Sequence, residues 1–161
     1  ARPVTDDAPS LRVRRGRPAD RPALRRLQSF LQRPSPQLLS HALDGGVGAR
    51  VLVSTGGAGA AGEETQRAAA DAPVGYLLAV DGADVHVAEL AVAPDYRRQG
   101  RAGELLDALL ATTASGRRVT LAVSPENNAA LALYRSRGFE RIGRREDFYD
   151  GAPALLLARQ T

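Results

Sequence analysis

The stretch Leu90-Ala91-Val92-Ala93-Pro94-Asp95-Tyr96-Arg97-Arg98-Gln99-Gly100-Arg101-Ala102-Gly103-Glu104-Leu105-Leu106 constrains this chain more than any other. An apolar strand runs into a proline. A basic, glycine-bearing turn follows, and then an amphipathic helix. The first turn of a helix leaves backbone N–H groups without intrahelical partners. Those donors and the positive end of the macrodipole suit an anion such as a phosphate. Gly100, Ala102 and Gly103 keep side chains small where a ligand must come close to the backbone. Arg97, Arg98 and Arg101 add charge-assisted donors. A strand–turn–helix joint also occurs in ordinary α/β proteins, so the flanking sequence decides its meaning.

Hydrophobic periodicity orders the flanks. Leu11–Arg15 alternates and predicts a first strand. Asp20 is placed to cap a helix with Leu24, Leu27, Phe30 and Leu31 on one stripe, ended by Pro34 and Pro36. A short second helix is expected over Pro36–Ala42, with His41 half-exposed on its surface. Ala49–Ser54 reads as a strand. The Gly/Ala-rich tract Thr55–Asp71 reads as a mobile hairpin loop, since it holds too little apolar surface to order itself. Val74–Val80 and Asp84–Ala93 resume the sheet across an Asp81-Gly82 turn. The helix that follows the phosphate turn carries Leu105, Leu106, Leu109 and Leu110 and is expected to stop near Ser115-Gly116. Val119–Val123 is a short apolar run, as in a buried strand. Asn127 caps a helix over Asn128–Ser136, and Gly138 ends it. Phe139–Arg145 and Ala154–Ala158 read as a closing pair of strands. The 161 residues make one α/β domain, 1–161, with 1–10 frayed and 55–71 the mobile loop.

The chain has no Cys, which excludes disulfides, thiolate metal sites and a cysteine nucleophile, and no other metal site is expected. That fits a cytoplasmic protein. No apolar run is long enough to cross a bilayer, and Ala1–Asp7 lacks the apolar core of a signal peptide, so no membrane partner is expected. All 22 basic residues are Arg, and the net charge is +4. Such a balance attracts polyanions. The arginines are not interleaved with aromatics, and no basic helix of groove-reading type stands out, so no nucleic-acid partner is expected. A phosphate-rich small ligand accounts for the charge. A homodimer is left open.

The spacing Arg97-x-x-Gly100-x-Ala102 resembles the pyrophosphate-binding motif of the GNAT superfamily of acetyl-CoA-dependent N-acetyltransferases. The segment Asn127-Asn128-Ala129-Ala130-Leu131-Ala132-Leu133-Tyr134-Arg135-Ser136-Arg137-Gly138-Phe139 resembles that family's N-x-x-A-x-x-L-Y-x-x-x-G-F block. Gly143–Gly151 is similar to the region that follows in the branch of ribosomal-protein alanine N-acetyltransferases, which modify protein N-termini. The resemblance spans about Asp84–Ala158. It implies the GNAT fold: a mixed sheet of six to seven strands, two parallel strands splayed apart in its middle, and about four flanking helices. It further implies acetyl-CoA as cofactor. Main chain at Leu90, Ala91 and Val92 would pair with the pantetheine arm. Arg97, Arg98, Gln99, Gly100, Arg101, Ala102 and Gly103 would hold the diphosphate, and Asn127 would contact the arm.

Tyr134 matches the family tyrosine that protonates the departing thiolate, a task a phenol of pKa near 10 can perform. Phe148 and Tyr149 correspond to an aromatic pair lining the peptide groove. The N-terminal acetyltransferase branch places its general base where this chain has Ala122. Glu89 and His86 are the remaining candidates for that role. The spacing favours His86, whereas Glu89 requires a β-bulge to turn it inward. The expected activity is direct acetyl transfer to a primary amine, either a protein N-terminus or a small molecule. The alternative is a CoA or acyl-CoA sensor that has lost the base.

Overall fold

The computed structural model describes residues 12–56 and 70–161. The frayed end expected at 1–10, the Leu11 end of the first strand and the centre of the expected loop lie outside these residues. A single mixed sheet organises the rest. Its strands are β1 (Val13–Arg15), β2 (Ala49–Thr55), β3 (Pro73–Asp81), β4 (Val85–Val92), β5 (Arg118–Val123), β6 (Glu140–Tyr149) and β7 (Ala152–Gln160). Their order is β1-β2-β3-β4-β5-β7-β6. All neighbours are antiparallel except the central pair β4 and β5. The described helices are α1 (Arg21–Gln28), α2 (Pro36–Leu43), α3 (Arg101–Thr112) and α4 (Asn128–Ser136).

Side-chain alternation puts each half of the core on its own face of the sheet. Leu24 and Leu27 of α1, with Leu39 and Leu43 of α2, cover Val51, Val53, Tyr76 and Leu78 on one face. Leu105, Leu106 and Leu109 of α3, with Leu131 and Tyr134 of α4, cover Leu77, Ala79, Val85, Val87, Val119 and Leu121 on the other. Val74 through Ala79 of β3 are buried without interruption because both faces are covered there. At one edge β1 has only three residues. At the other, β6 presents Arg141, Arg144, Arg145 and Glu146 to solvent, charges that discourage pairing with another chain.

Several boundaries differ from the sequence reading, each for a local reason. Helix α1 stops at Gln28, not at the prolines, because Ser29, Phe30 and Leu31 donate three residues back and Ser29 Oγ takes the Arg26 carbonyl. Phe30 therefore leaves the apolar stripe and is 51% exposed. Asp20 stands at the N-cap of α1 without a side-chain capping bond. Its buried carboxylate instead accepts from both Arg14 Nη atoms and from the Arg17 amide. The Thr112 and Thr113 hydroxyls cap the carbonyls at the end of α3 and close it before Ser115. Two ends of the expected mobile loop are fixed. Thr55 belongs to β2, and Asp71 accepts hydrogen bonds from Arg14 and Arg17.

Candidate active site

The parallel pair is joined only at Val85–Val119, His86–Thr120 and Val87–Leu121. Beyond that rung β4 runs on to Val92 and β5 to Val123, and among the described residues they no longer pair. Ala93 N–H is given to Val74 O on β3. By alternation the main-chain groups of Leu90 and Val92 face the gap instead, while Ala91 faces β3. Val92 O already accepts from Arg97 Nε at 2.9 Å.

A cleft of about 940 Å³ opens at this split. Val87 points to the α3 face, and so does Leu121. His86, Thr120 and Ala122 alternate to the opposite face, where the α1–α2 loop and the β6–β7 hairpin form the rim. Tyr134 enters from α4 on the α3 side. The gap thus connects one face of the sheet to the other.

The register of β4 on β3 slips between Leu78 and Ala79, where Leu78 pairs with Glu89 but Ala79 pairs with Val87. Ala88 is the extra residue of a β-bulge. Without it Glu89 would share the α3 face with Val87. With it Glu89 turns to the α1–α2 side, 4% exposed in the cleft wall. There it accepts from Gln28 Nε2 at 3.0 Å, Tyr76 Oη at 2.7 Å and the Ser35 amide at 2.6 Å. His86 stands at the vertex of the split with Nδ1 2.9 Å from Thr120 Oγ1. The residue is exposed at the cleft, and partial desolvation by the surrounding protein holds the imidazole below its ordinary value, so the neutral ring prevails near pH 7.

Tyr134 is 8% exposed, and its ring meets the Phe139 ring edge-on at 5.9 Å. Burial, with a smaller contribution from Tyr149, pushes its phenol up to about 12, so it stays protonated. On the opposite rim Phe148 and Tyr149 pack edge-to-face at 4.8 Å, and burial raises the Tyr149 phenol. The Arg33 guanidinium from the α1–α2 loop lies 4.3 Å from the Phe148 ring centre, within cation–π range. Asn127 lines the cleft and also caps α4, accepting from the Ala130 amide at 3.1 Å.

The turn before α3 is built from two left-handed residues, Arg98 (φ 61°) and Gly100 (φ 79°). Among the described residues, the amides of Arg98 through Gly103 donate to no protein acceptor. Arg98 and Gln99 are exposed on this turn, and Ala102 is half-buried. One expectation for it needs correction. Arg101 is 4% exposed and faces away from solvent, giving Nη1 to Ser54 Oγ and Thr55 O, beneath the Tyr96 ring. Its side chain braces the turn from behind, and only its amide is open. The far end of the Arg137 side chain lies where a Gly103 Cβ would stand. Arg97 is drawn towards Val92 O and lies 5.6 Å from the Phe30 ring.

The bulge and the contacts of Arg101 and Gly103 depend on strand register and long-range packing, which no local pattern encodes. Gln28, Ser35, Tyr76, Thr120 and Arg33 have no motif signal, although each touches a site residue.

A family profile described as Acetyltransferase (GNAT) family matches residues 20–139. An uncharacterised protein of Mycobacterium leprae is 46% identical over 79 residues, which cover 48% of this chain and 21% of that protein. The N-alpha-acetyltransferase RimI of Mycobacterium tuberculosis is 42% identical over 80 residues, 48% of this chain and 49% of that one. The matches therefore span half or less of these curated relatives' length. Among solved structures, Arabidopsis thaliana NAA60 in complex with a bisubstrate analogue superposes with TM-score 0.77 at 20% identity, covering 92% of this chain and 96% of that one. The same enzyme in complex with acetyl-CoA gives TM-score 0.77 at 19% identity, over 92% and 97% of the two chains. The Escherichia coli ribosomal-protein-S18-alanine N-acetyltransferase gives 0.71 at 22% identity over 92% of each chain. The structural likeness establishes the fold.

Proposed function

Since the chain belongs to the acetyltransferase (GNAT) family, we propose that it is an acetyl-CoA-dependent N-acetyltransferase acting directly on a primary amine, with a protein or peptide N-terminus as the preferred acceptor. The carrying observation is a split parallel pair beside a turn of unpartnered amides, with titratable groups on opposite faces of the gap. The residues suit the ligand. The amides from Arg98 to Gly103 would hold the diphosphate, and the main chain of Leu90 and Val92 would flank the arm. Nothing lies within 4 Å of where a Gly100 Cβ would stand, so the turn is open to a ligand.

Acetyl-CoA supplies an activated acetyl thioester. On the α1–α2 side, a neutral His86 or the Glu89 carboxylate would take the proton of the incoming amine. On the α3 side, Tyr134 keeps its proton at neutral pH and would give it to the departing sulfur. No cysteine is present to carry an acyl group, so transfer is direct. The rim residues Phe148 and Tyr149 would flank the acceptor. Because Ala122 provides no carboxylate, a weakly basic amine suits the site. An α-amino group of pKa about 7.7–8.0 is roughly a tenth neutral at pH 7, whereas a lysine of pKa about 10.4 is far less so. The relatives named for Nα-acetylation and the cysteine-free composition support an N-terminal acceptor met in the cytoplasm.

Thiol release measured over matched peptides tests this. Peptide N-termini should turn over faster than lysine side chains blocked at their N-terminus. Faster lysine acetylation, or a small amine outpacing every peptide, would move the acceptor assignment. Tight CoA binding with no turnover on any amine would favour the sensor.

A further inference from the structure

Resting on that reading of the cleft, we infer that Glu89 is a positioning residue: it anchors the acceptor-side α1–α2 loop and leaves proton removal to His86. Three independent elements converge on this one carboxylate. Gln28 ends α1, Tyr76 lies on β3, and Ser35 is the N-cap residue of α2. Oε1 takes two donors and Oε2 takes the third. Both carboxylate oxygens are therefore occupied by protein donors before any acceptor amine arrives.

The donors also say what the anchor holds. Ser35 closes the segment Phe30–Pro34, whose residues all line the cleft. Arg33 of the segment lies over Phe148 across the mouth, and Phe30 lies under Arg97. The segment is therefore flanked on both sides by donors to Glu89, Gln28 before it and Ser35 after it, and reaches β6 through Arg33. The bulge turns Glu89 towards this loop.

His86 differs on each count. One ring nitrogen is fixed by Thr120. The other has no protein partner among the described residues, and the ring lines the cleft. The titratable and charged groups that share this cleft are Arg33, Glu89, Glu126, Tyr134 and Tyr149. Only Glu89 lies on the same strand, and both of its oxygens already have protein donors.

The test pairs kinetics with amide exchange on the full chain. Glu89→Gln sets a side-chain NH₂ against one of the three donors. It should raise the acceptor KM about tenfold, keep the acetyl-CoA KM, and keep the acidic limb of kcat against pH. Ser35 amide exchange should quicken while α3 stays protected. Tyr76→Phe, which removes a donor without reaching the cleft, should give a weaker version of the same KM change. The inference is overturned if Glu89→Gln lowers kcat a hundredfold or more with the acidic limb gone and acceptor KM unchanged. It is also overturned if Tyr76→Phe moves that limb upward, or if Ser35 exchange does not change. The exchange measurement needs no turnover. Should the wild type acetylate no amine, the function proposed above fails while the anchor is still decided.

Discussion

His86 sits where the parallel strands part, and its chemistry follows from that position. Partial desolvation in the cleft penalises the imidazolium, so the ring loses its proton below the ordinary value of 6.5. A base works when deprotonated. The acidic limb of kcat at saturating acceptor should therefore fall below pH 6.5, with a plateau through neutrality, and His86→Gln should abolish that limb. A limb centred above pH 7 would contradict the assignment. The same lowered value makes folding stability present above the unfolded value and lost as pH falls through the folded one. Tyr134 carries the opposite shift for the same reason. Burial penalises its anion, and the proton stays available for donation.

At the scale of elements, the turn before α3 and the bulge of β4 would divide the work of the proposed function. The turn depends on main-chain conformation more than on any one cation. Gly100 is left-handed with open space around its Cβ position, so a larger residue fails there through backbone strain, not collision. A β-branched residue at this φ costs about 1–2 kcal/mol or reshapes the turn. Gly100→Val should weaken CoA binding roughly tenfold in calorimetry. Arg98→Ala removes one exposed cation and should cost less, about fivefold at most. The reverse order would mean that side-chain charge, not the amide cradle, holds the diphosphate. The turn, the strands around it and helix α4 were legible because each has a local pattern: apolar alternation, a left-handed glycine, an Asn cap. The bulge was legible only as a condition on Glu89. Its presence is fixed by how Leu78 and Ala79 meet β4, a matter of pairing between strands. Phe30 misled for a related reason. Its spacing fits the stripe of Leu24 and Leu27, but the helix ends before reaching it.

Among the described residues, the two core clusters lie on opposite faces of one sheet, one over β2, β3 and the end of β4, the other over β3, β4, β5 and β7. Two chemistries can then meet through the sheet, an amine from the α1–α2 side and a thioester from the turn before α3. Composition set the outer limits of this account, since it excluded cysteine chemistry and pointed to an anionic ligand. It carried no information on the acceptor, whose rim comes from the α1–α2 loop and the β6–β7 hairpin, segments shaped by long-range contacts such as Arg33 on Phe148. No described helix is long and apolar enough to cross a membrane. On the function proposed above, CoA would lie along the open edge of β4 with its diphosphate on the first turn of α3. Titrating CoA into the ¹⁵N-labelled protein measures this directly. The amides of Arg98–Gly103 and Leu90–Val92 should shift together and saturably, and saturable binding that leaves both groups unmoved would contradict the account.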